Sequence, residues 1–99
     1  MKRPIGGTRE AAETLAIQAL TFIAEEPEKL ARFLAMTGIE AGEIRSAARE
    51  PRFLADVLEH MLGDESLLIA FATSAGIDPA EVARARGALG SGRWERDVP

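Results

Sequence analysis

Pro51-Arg52-Phe53-Leu54-Ala55-Asp56-Val57-Leu58-Glu59-His60-Met61-Leu62-Gly63 repeats its apolar side chains with a helical period. Phe53, Leu54, Val57, Leu58, Met61 and Leu62 recur at i, i+1, i+4, i+5, i+8 and i+9. At about 100° per residue they make one broad face. Arg52, Asp56 and Glu59 fall opposite. Pro51 suits a first helical turn, where its missing N–H has no bond to make. Gly63 is expected to supply the left-handed residue that ends the helix. So broad a stripe must be covered by other helices, which makes this segment the expected hub of an all-helical core.

On the N-terminal side, Met1 to Gly7 reads as a flexible lead, because a proline and paired glycines resist regular structure. Thr8 is placed to cap a first helix running to about Glu25, with Leu15, Ala16, Ala19, Leu20, Ile23 and Ala24 on one face and Phe22 at its edge. Pro27 disfavours helical geometry at Glu26 and opens a second helix, striped by Leu30, Phe33, Leu34 and Thr37 and stopped by Gly38. Ile39 is expected to tuck back onto the core, and a short third helix to cover about Ala41 to Arg49. Beyond the hub, Asp64 is an N-cap for a fifth helix lined by Leu67, Leu68, Phe71, Ala72 and Ala75 and ended by Gly76. Asp78-Pro79-Ala80-Glu81 combines a cap, a first-turn proline and a glutamate at N3, and opens a sixth helix to about Leu89. Gly90-Ser91-Gly92 then releases a polar tail over 91–99. No stretch sustains the period-two alternation of a strand.

Offset by 38 positions, the sequence matches itself. Leu20, Leu30, Phe33, Gly38, Ile39, Glu43 and Ala47 meet Leu58, Leu68, Phe71, Gly76, Ile77, Glu81 and Ala85. Every apolar stripe stays aligned without a gap. The expected architecture is a compact irregular bundle of about six short helices in one domain over 8–90, built from two related three-helix units, 9–49 and 51–89.

Bulk composition excludes several functions. The 99 residues are 46% hydrophobic and 28% charged, ordinary for one globular domain. Cysteine is absent, which removes disulfides, thiolate metal sites and cysteine nucleophiles. A formal charge of −4 disfavours general binding to nucleic acid or to an anionic membrane. No apolar run approaches the roughly 20 residues of a membrane span, and the basic start has no apolar segment behind it to make a secretory signal. A cytoplasmic location is the default expectation.

The strongest motif is the turn within each unit. Phe71-Ala72-Thr73-Ser74-Ala75-Gly76-Ile77-Asp78-Pro79-Ala80-Glu81-Val82 resembles the helix-turn-helix pattern of bacterial DNA-binding proteins. Its marks are a small residue four before the turn glycine, an apolar residue after it, and an aliphatic residue six after it. Ala72, Gly76, Ile77 and Val82 satisfy the pattern. The first unit puts Leu34 where the small residue belongs, which would push its helices apart. These are packing positions, so they specify a corner rather than DNA binding. On the sixth helix Arg84 and Arg86 are the only cations to offer to phosphates, and over 64–90 four acids outnumber them.

Other chemistry is sparse. His60 is the single histidine, with Asp56 four residues before it and Asp64 four after, a spacing that would converge weakly on a cation. The simpler reading is a boundary histidine beside one carboxylate. Ser46, Ser66 and Ser74 have no histidine close in sequence and no glycine elbow. Glu25-Glu26-Pro27-Glu28 reads as a solvated corner whose acids favour a helix start. Trp94, beside Arg93, either docks back onto the domain or anchors a partner. Met61 and Phe22 are placed to face either the core or a second copy.

Three runs carry a family resemblance: Ala19-Leu20-Thr21-Phe22-Ile23-Ala24 leading to Pro27-Glu28, Leu30 to Gly38, and Pro51 to Leu58 leading to Asp64-Glu65. Over most of 15–90 the chain resembles an alphaproteobacterial family catalogued as domain of unknown function 3572. The resemblance implies a compact helical bacterial protein and brings no activity, so no functional residue is carried over from it. The expectation from the residues is a small non-enzymatic protein-interaction or regulatory module, with no catalytic residues, metal or cofactor. The alternative is a helix-turn-helix DNA binder using helix 78–89. Arg84, Arg86, Arg93 and Trp94 are the candidate contacts for either partner.

Overall fold

Six α-helices and one 3₁₀ turn make up the fold in a computed structural model that describes residues 9–97, with side chains to Leu89. The helices are α1 (Arg9–Ala24), α2 (Pro27–Thr37), α3 (Ile44–Ala47), α4 (Pro51–Leu62), α5 (Glu65–Ala75) and α6 (Pro79–Asp97); the 3₁₀ turn, Ala41–Glu43, leads into α3. No strand occurs among the described residues. The Cα radius of gyration, 13.3 Å, is that of a compact domain of about 100 residues.

The quoted stretch forms α4, and Phe53, Leu54, Val57, Leu58 and Met61 are all buried. α4 packs on α1, α5 and α6, and α6 lies against both α1 and α4. α1 meets these neighbours through small residues: Ala12, Ala16 and Ala19 are at most 1% exposed. An alanine stripe lets helix axes approach closely and brings the larger Leu20 and Ile23 into the same layer. Met61 is fully buried, and the half-buried Phe22 sets its ring against Phe71 at 5.6 Å and a 60° tilt, so both residues pack with the core. The expected inward face of α1 is corrected at two places: Ala24 is exposed and Ala12 is buried.

The 38-residue offset carries element bounds as well as residues. It maps the end of α1 onto the end of α4, α2 onto α5, and the 3₁₀ start at Ala41 onto the α6 start at Pro79. Gly38 and Gly76 both take positive φ, 78° and 71°. Their closures differ. Gly76 ends α5 in a Schellman motif, with Ile77 N–H on the Ala72 carbonyl at 3.0 Å and Gly76 N–H on that of Thr73 at 3.3 Å. Gly38 makes the simpler left-handed cap, its N–H on the Leu34 carbonyl at 2.8 Å. The third elements diverge most, since α3 is a single turn and α6 has 19 residues.

Three expected boundaries move. Gly63 is right-handed at φ −83°; the chain turns instead at Asp64, extended at φ −132°, whose carboxylate accepts the Leu67 N–H. Two helices meeting without a spacer need an extended N-cap, and that leaves no room for a left-handed residue before it. The third helix is shorter than 41–49 and begins as 3₁₀. The sixth helix runs on through Gly90-Ser91-Gly92 to Asp97, past the expected release into a tail. Interior glycines weaken a helix without forbidding it, and no proline follows until Pro99. The expected lead and its Thr8 cap lie outside the described residues.

The glycines give a paired prediction. A Cβ at Gly76 or at Gly87 meets nothing within 4 Å, but only Gly76 has positive φ. Gly76→Ala should therefore destabilise by about 1–2 kcal/mol through backbone strain alone. Gly87→Ala should stabilise by about 0.5–1 kcal/mol. Urea melts of the two variants check both signs.

Candidate functional site

Two places on the fold bear on function: the α5–α6 corner and a concavity where α2, α4 and α5 meet. At the corner, Ala72 is buried, Gly76 and Ile77 close the Schellman turn, and the Asp78 carboxylate accepts the Ala80 N–H at 2.9 Å to start α6. Val82, Ala85 and Leu89 turn inward and are buried. The turn closes at Gly76 with the left-handed glycine that the residue pattern predicts. α1 and α4 both pack against the corner's second helix, which leaves one face of α6 outward.

The candidate contacts separate. Arg84 is exposed and lines a groove of about 480 Å³ with Ala11, Ala12, Thr14, Leu15 and Gln18 of α1 and with Glu81 and Ala85. Arg86 is half-buried, and its Nε donates to a carboxylate oxygen of Glu59 on α4. That solvent-facing bond links α6 to α4 and sets a carboxylate beside Arg86 that an external phosphate would have to displace. The outward face of α6 presents Ala80, Glu81, Ala83, Arg84 and Gly87, with one cation among them. The side chains of Arg93 and Trp94 lie outside those described.

The concavity, about 420 Å³, is lined by Glu28, Lys29 and Arg32 of α2, His60 of α4, the cap residue Asp64, and Ser66, Leu67 and Ala70 of α5. His60 is half-buried, its ring edge-on to Phe33 at a centroid distance of 5.1 Å. Asp64 has two tasks: Oδ1 accepts the Leu67 N–H at 3.2 Å, and Oδ2 lies 3.6 Å from the Arg32 guanidinium. Lys29 pairs with Glu26 at 2.7 Å. Burial pushes the His60 imidazole below its ordinary 6.5, Asp64 opposes this, and Arg32 adds to it. His60 is therefore neutral at neutral pH.

The expected convergence of Asp56 and Asp64 on His60 does not form. Asp56 is exposed and lines a different concavity, with Phe53, Ile39, Glu43 and Ser46. Among the described residues no group of three or more His, Cys, Asp or Glu is placed to hold a metal. Ser66, distant from any histidine by sequence reasoning, shares the concavity with His60. No hydrogen bond joins them, and Asp64 faces Arg32 and Leu67, so no nucleophile–base–carboxylate relay is assembled. Sequence reasoning missed Lys29, Arg32 and Met36, which share one stripe of α2 at i, i+3 and i+7. Met36 is 72% exposed. Its signal was available, since it falls off the Leu30–Phe33–Leu34 face; the approach of Arg32 to Asp64 was not, because it depends on how α2 crosses α5.

No helix among the described residues is long and apolar enough to cross a membrane. A family model described as protein of unknown function (DUF3572) matches residues 9–92. No curated protein and no solved structure matches the chain.

Proposed function

The chain belongs to that family of unknown function, and from its own surface we propose that it is a small, non-enzymatic, cytoplasmic protein-interaction module that meets its partner through the outer stripe of α2. The observation that carries this reading is Met36. It is 72% exposed on a helix whose inner face is already filled, and methionine is the adaptable apolar residue of binding surfaces. Arg32 lies one turn away with its side chain 69% exposed, and Lys29 continues the row. Their ion pairs with Asp64 and Glu26 are solvent-facing, worth only about 0–1 kcal/mol, so a partner's carboxylates can replace them.

The test is a photoreactive side chain at position 36, with the exposed Ala31 on another face of α2 as control. The expected result is an adduct of one discrete mass from position 36, absent from position 31 and reduced by Arg32→Glu. No adduct, or the same adducts from both positions, rejects the reading.

The helix-turn-helix corner supports a second reading, a DNA binder using α6. The closed turn at Gly76 favours it. The Glu59–Arg86 bond and the single outward cation among the described side chains of α6 weigh against it, because binding strength grows with the number of phosphates neutralised. Titrating labelled protein with random duplex DNA at low salt separates the two readings. Shifts over Ile77–Arg86 that reverse as salt rises favour DNA, and unmoved amides favour the α2 surface.

A further inference from the structure

Of the helices longer than one turn, α2 is held by the fewest buried side chains: one, Phe33, against five each in α1 and α4. We infer that α2 is a pH-released element, docked when His60 is neutral and driven off the α4–α5 corner when His60 takes a proton. The inference concerns the free protein and stands whether or not Met36 meets a partner.

Phe33 is seated edge-on to Phe53 at 5.8 Å and to His60 at 5.1 Å, so the imidazole forms part of the seat under the one fully buried side chain of α2, beside which Leu30 and Leu34 pack partly buried. The charged groups around His60 come from three elements. α2 brings Glu28, Lys29 and Arg32 to the concavity, and the start of α5 brings Asp64. On α4 itself Asp56 lies a turn back, and Glu59 is held by Arg86 of α6. These groups divide when α2 lifts. Asp64 stays with His60, fixed as the cap of α5 by the Leu67 N–H. Arg32, Lys29 and the covering Phe33 ring leave with α2.

Both forms keep the Asp64 carboxylate beside the imidazole; the docked form adds burial and a guanidinium, which the undocked form replaces with water. Burial comes first and Arg32 is the smaller cause among those that hold the docked imidazole below 6.5. The sign follows. The undocked form binds the proton more tightly, so docking is at full strength above the undocked midpoint and weakens as pH falls from there through the docked midpoint, which lies below 6.5.

The experiment is an NMR titration of the full labelled chain from about pH 7.5 to about pH 4.5, the range in which histidine changes charge. Hydrogen exchange, corrected for its intrinsic pH dependence, is read in parallel. The His60 ring protons should titrate below 6.5, and the amides of Leu30–Thr37 should move with the same midpoint. Exchange protection of α2 should fall relative to α1 and α4 by up to about tenfold for each pH unit separating that midpoint from the midpoint of the undocked imidazole. His60→Gln should remove the pH response of α2. Arg32→Gln, a surface change that leaves the seat intact, should raise the midpoint and shrink the response. The inference is overturned if α2 amides follow the carboxylate range near about 4, if all helices lose protection together, or if the response survives in His60→Gln.

Discussion

Phe33→Ala should weaken the docking of α2 by about 3–5 kcal/mol, the usual range for deleting a buried phenylalanine. Phe33 is fully buried and is the only buried side chain of its helix. Its two ring contacts, with Phe53 and His60, add about 0.5–1.5 kcal/mol each beyond area burial when both partners are aromatic. The effect should be local. α1, α4 and α6 pack on one another without α2, so their own transition has no reason to move by the full amount. Hydrogen exchange checks this: amides of α2 should lose protection while those of α4 keep most of theirs. The variant also reports on His60. With the covering ring gone, burial relaxes, and the imidazole should titrate closer to its ordinary 6.5 than in the parent protein. Equal loss of protection in α2 and α4 would show that α2 is inseparable from the core.

Much of this fold was legible because local signals and packing agree. Pro27, Pro51 and Pro79 each occupy the first position of a helix, where proline fits. Gly38 and Gly76 take the left-handed conformation that stops one. The apolar stripe of α4 was read from spacing and is buried nearly in full. The misses share a physical cause, which is context beyond one turn. Gly63 looked like a left-handed stop, but the next residue had to be extended to cap α5. Gly90 and Gly92 looked like a release, yet glycine lowers helix stability only by about 1 kcal/mol, and α6 continues through them. Ala12 was invisible as a core residue because alanine carries little hydrophobic signal; its burial follows from where α6 lies.

The candidate site was less legible for the same reason. Periodicity places His60 at the edge of a stripe and cannot say which helix covers it. The fold answers with α2, bringing Arg32 to Asp64 and separating Asp56 from both. Arg86 shows the converse. Sequence reasoning offered it to an external partner, and could not show that Glu59, on another helix, pairs with it at the surface.

Leu58→Ala should destabilise the whole domain by about 2–5 kcal/mol, since a leucine cavity adds its own cost to the lost transfer energy. Leu58 is fully buried on the helix that packs against α1, α5 and α6. Domains of this size have about 5–15 kcal/mol in total, so the loss should lower Tm by roughly 8–40 °C. The form of the transition is more informative than its midpoint. Leu58 sits in the second of the two 38-offset segments, and Leu20, also buried, occupies the equivalent place in the first. If the segments were independent folding units, Leu58→Ala would split the melt, leaving α1 and α2 to unfold at the parent temperature. The packing argues otherwise. α1 lies against both α4 and α6, so the largest interface of the first segment is with the second. One core shared across the offset should melt as one transition, with the urea m-value unchanged in both Leu58→Ala and Leu20→Ala. A biphasic melt in either variant would mean that the two halves hold themselves together separately, and that α6 bridges them without joining them.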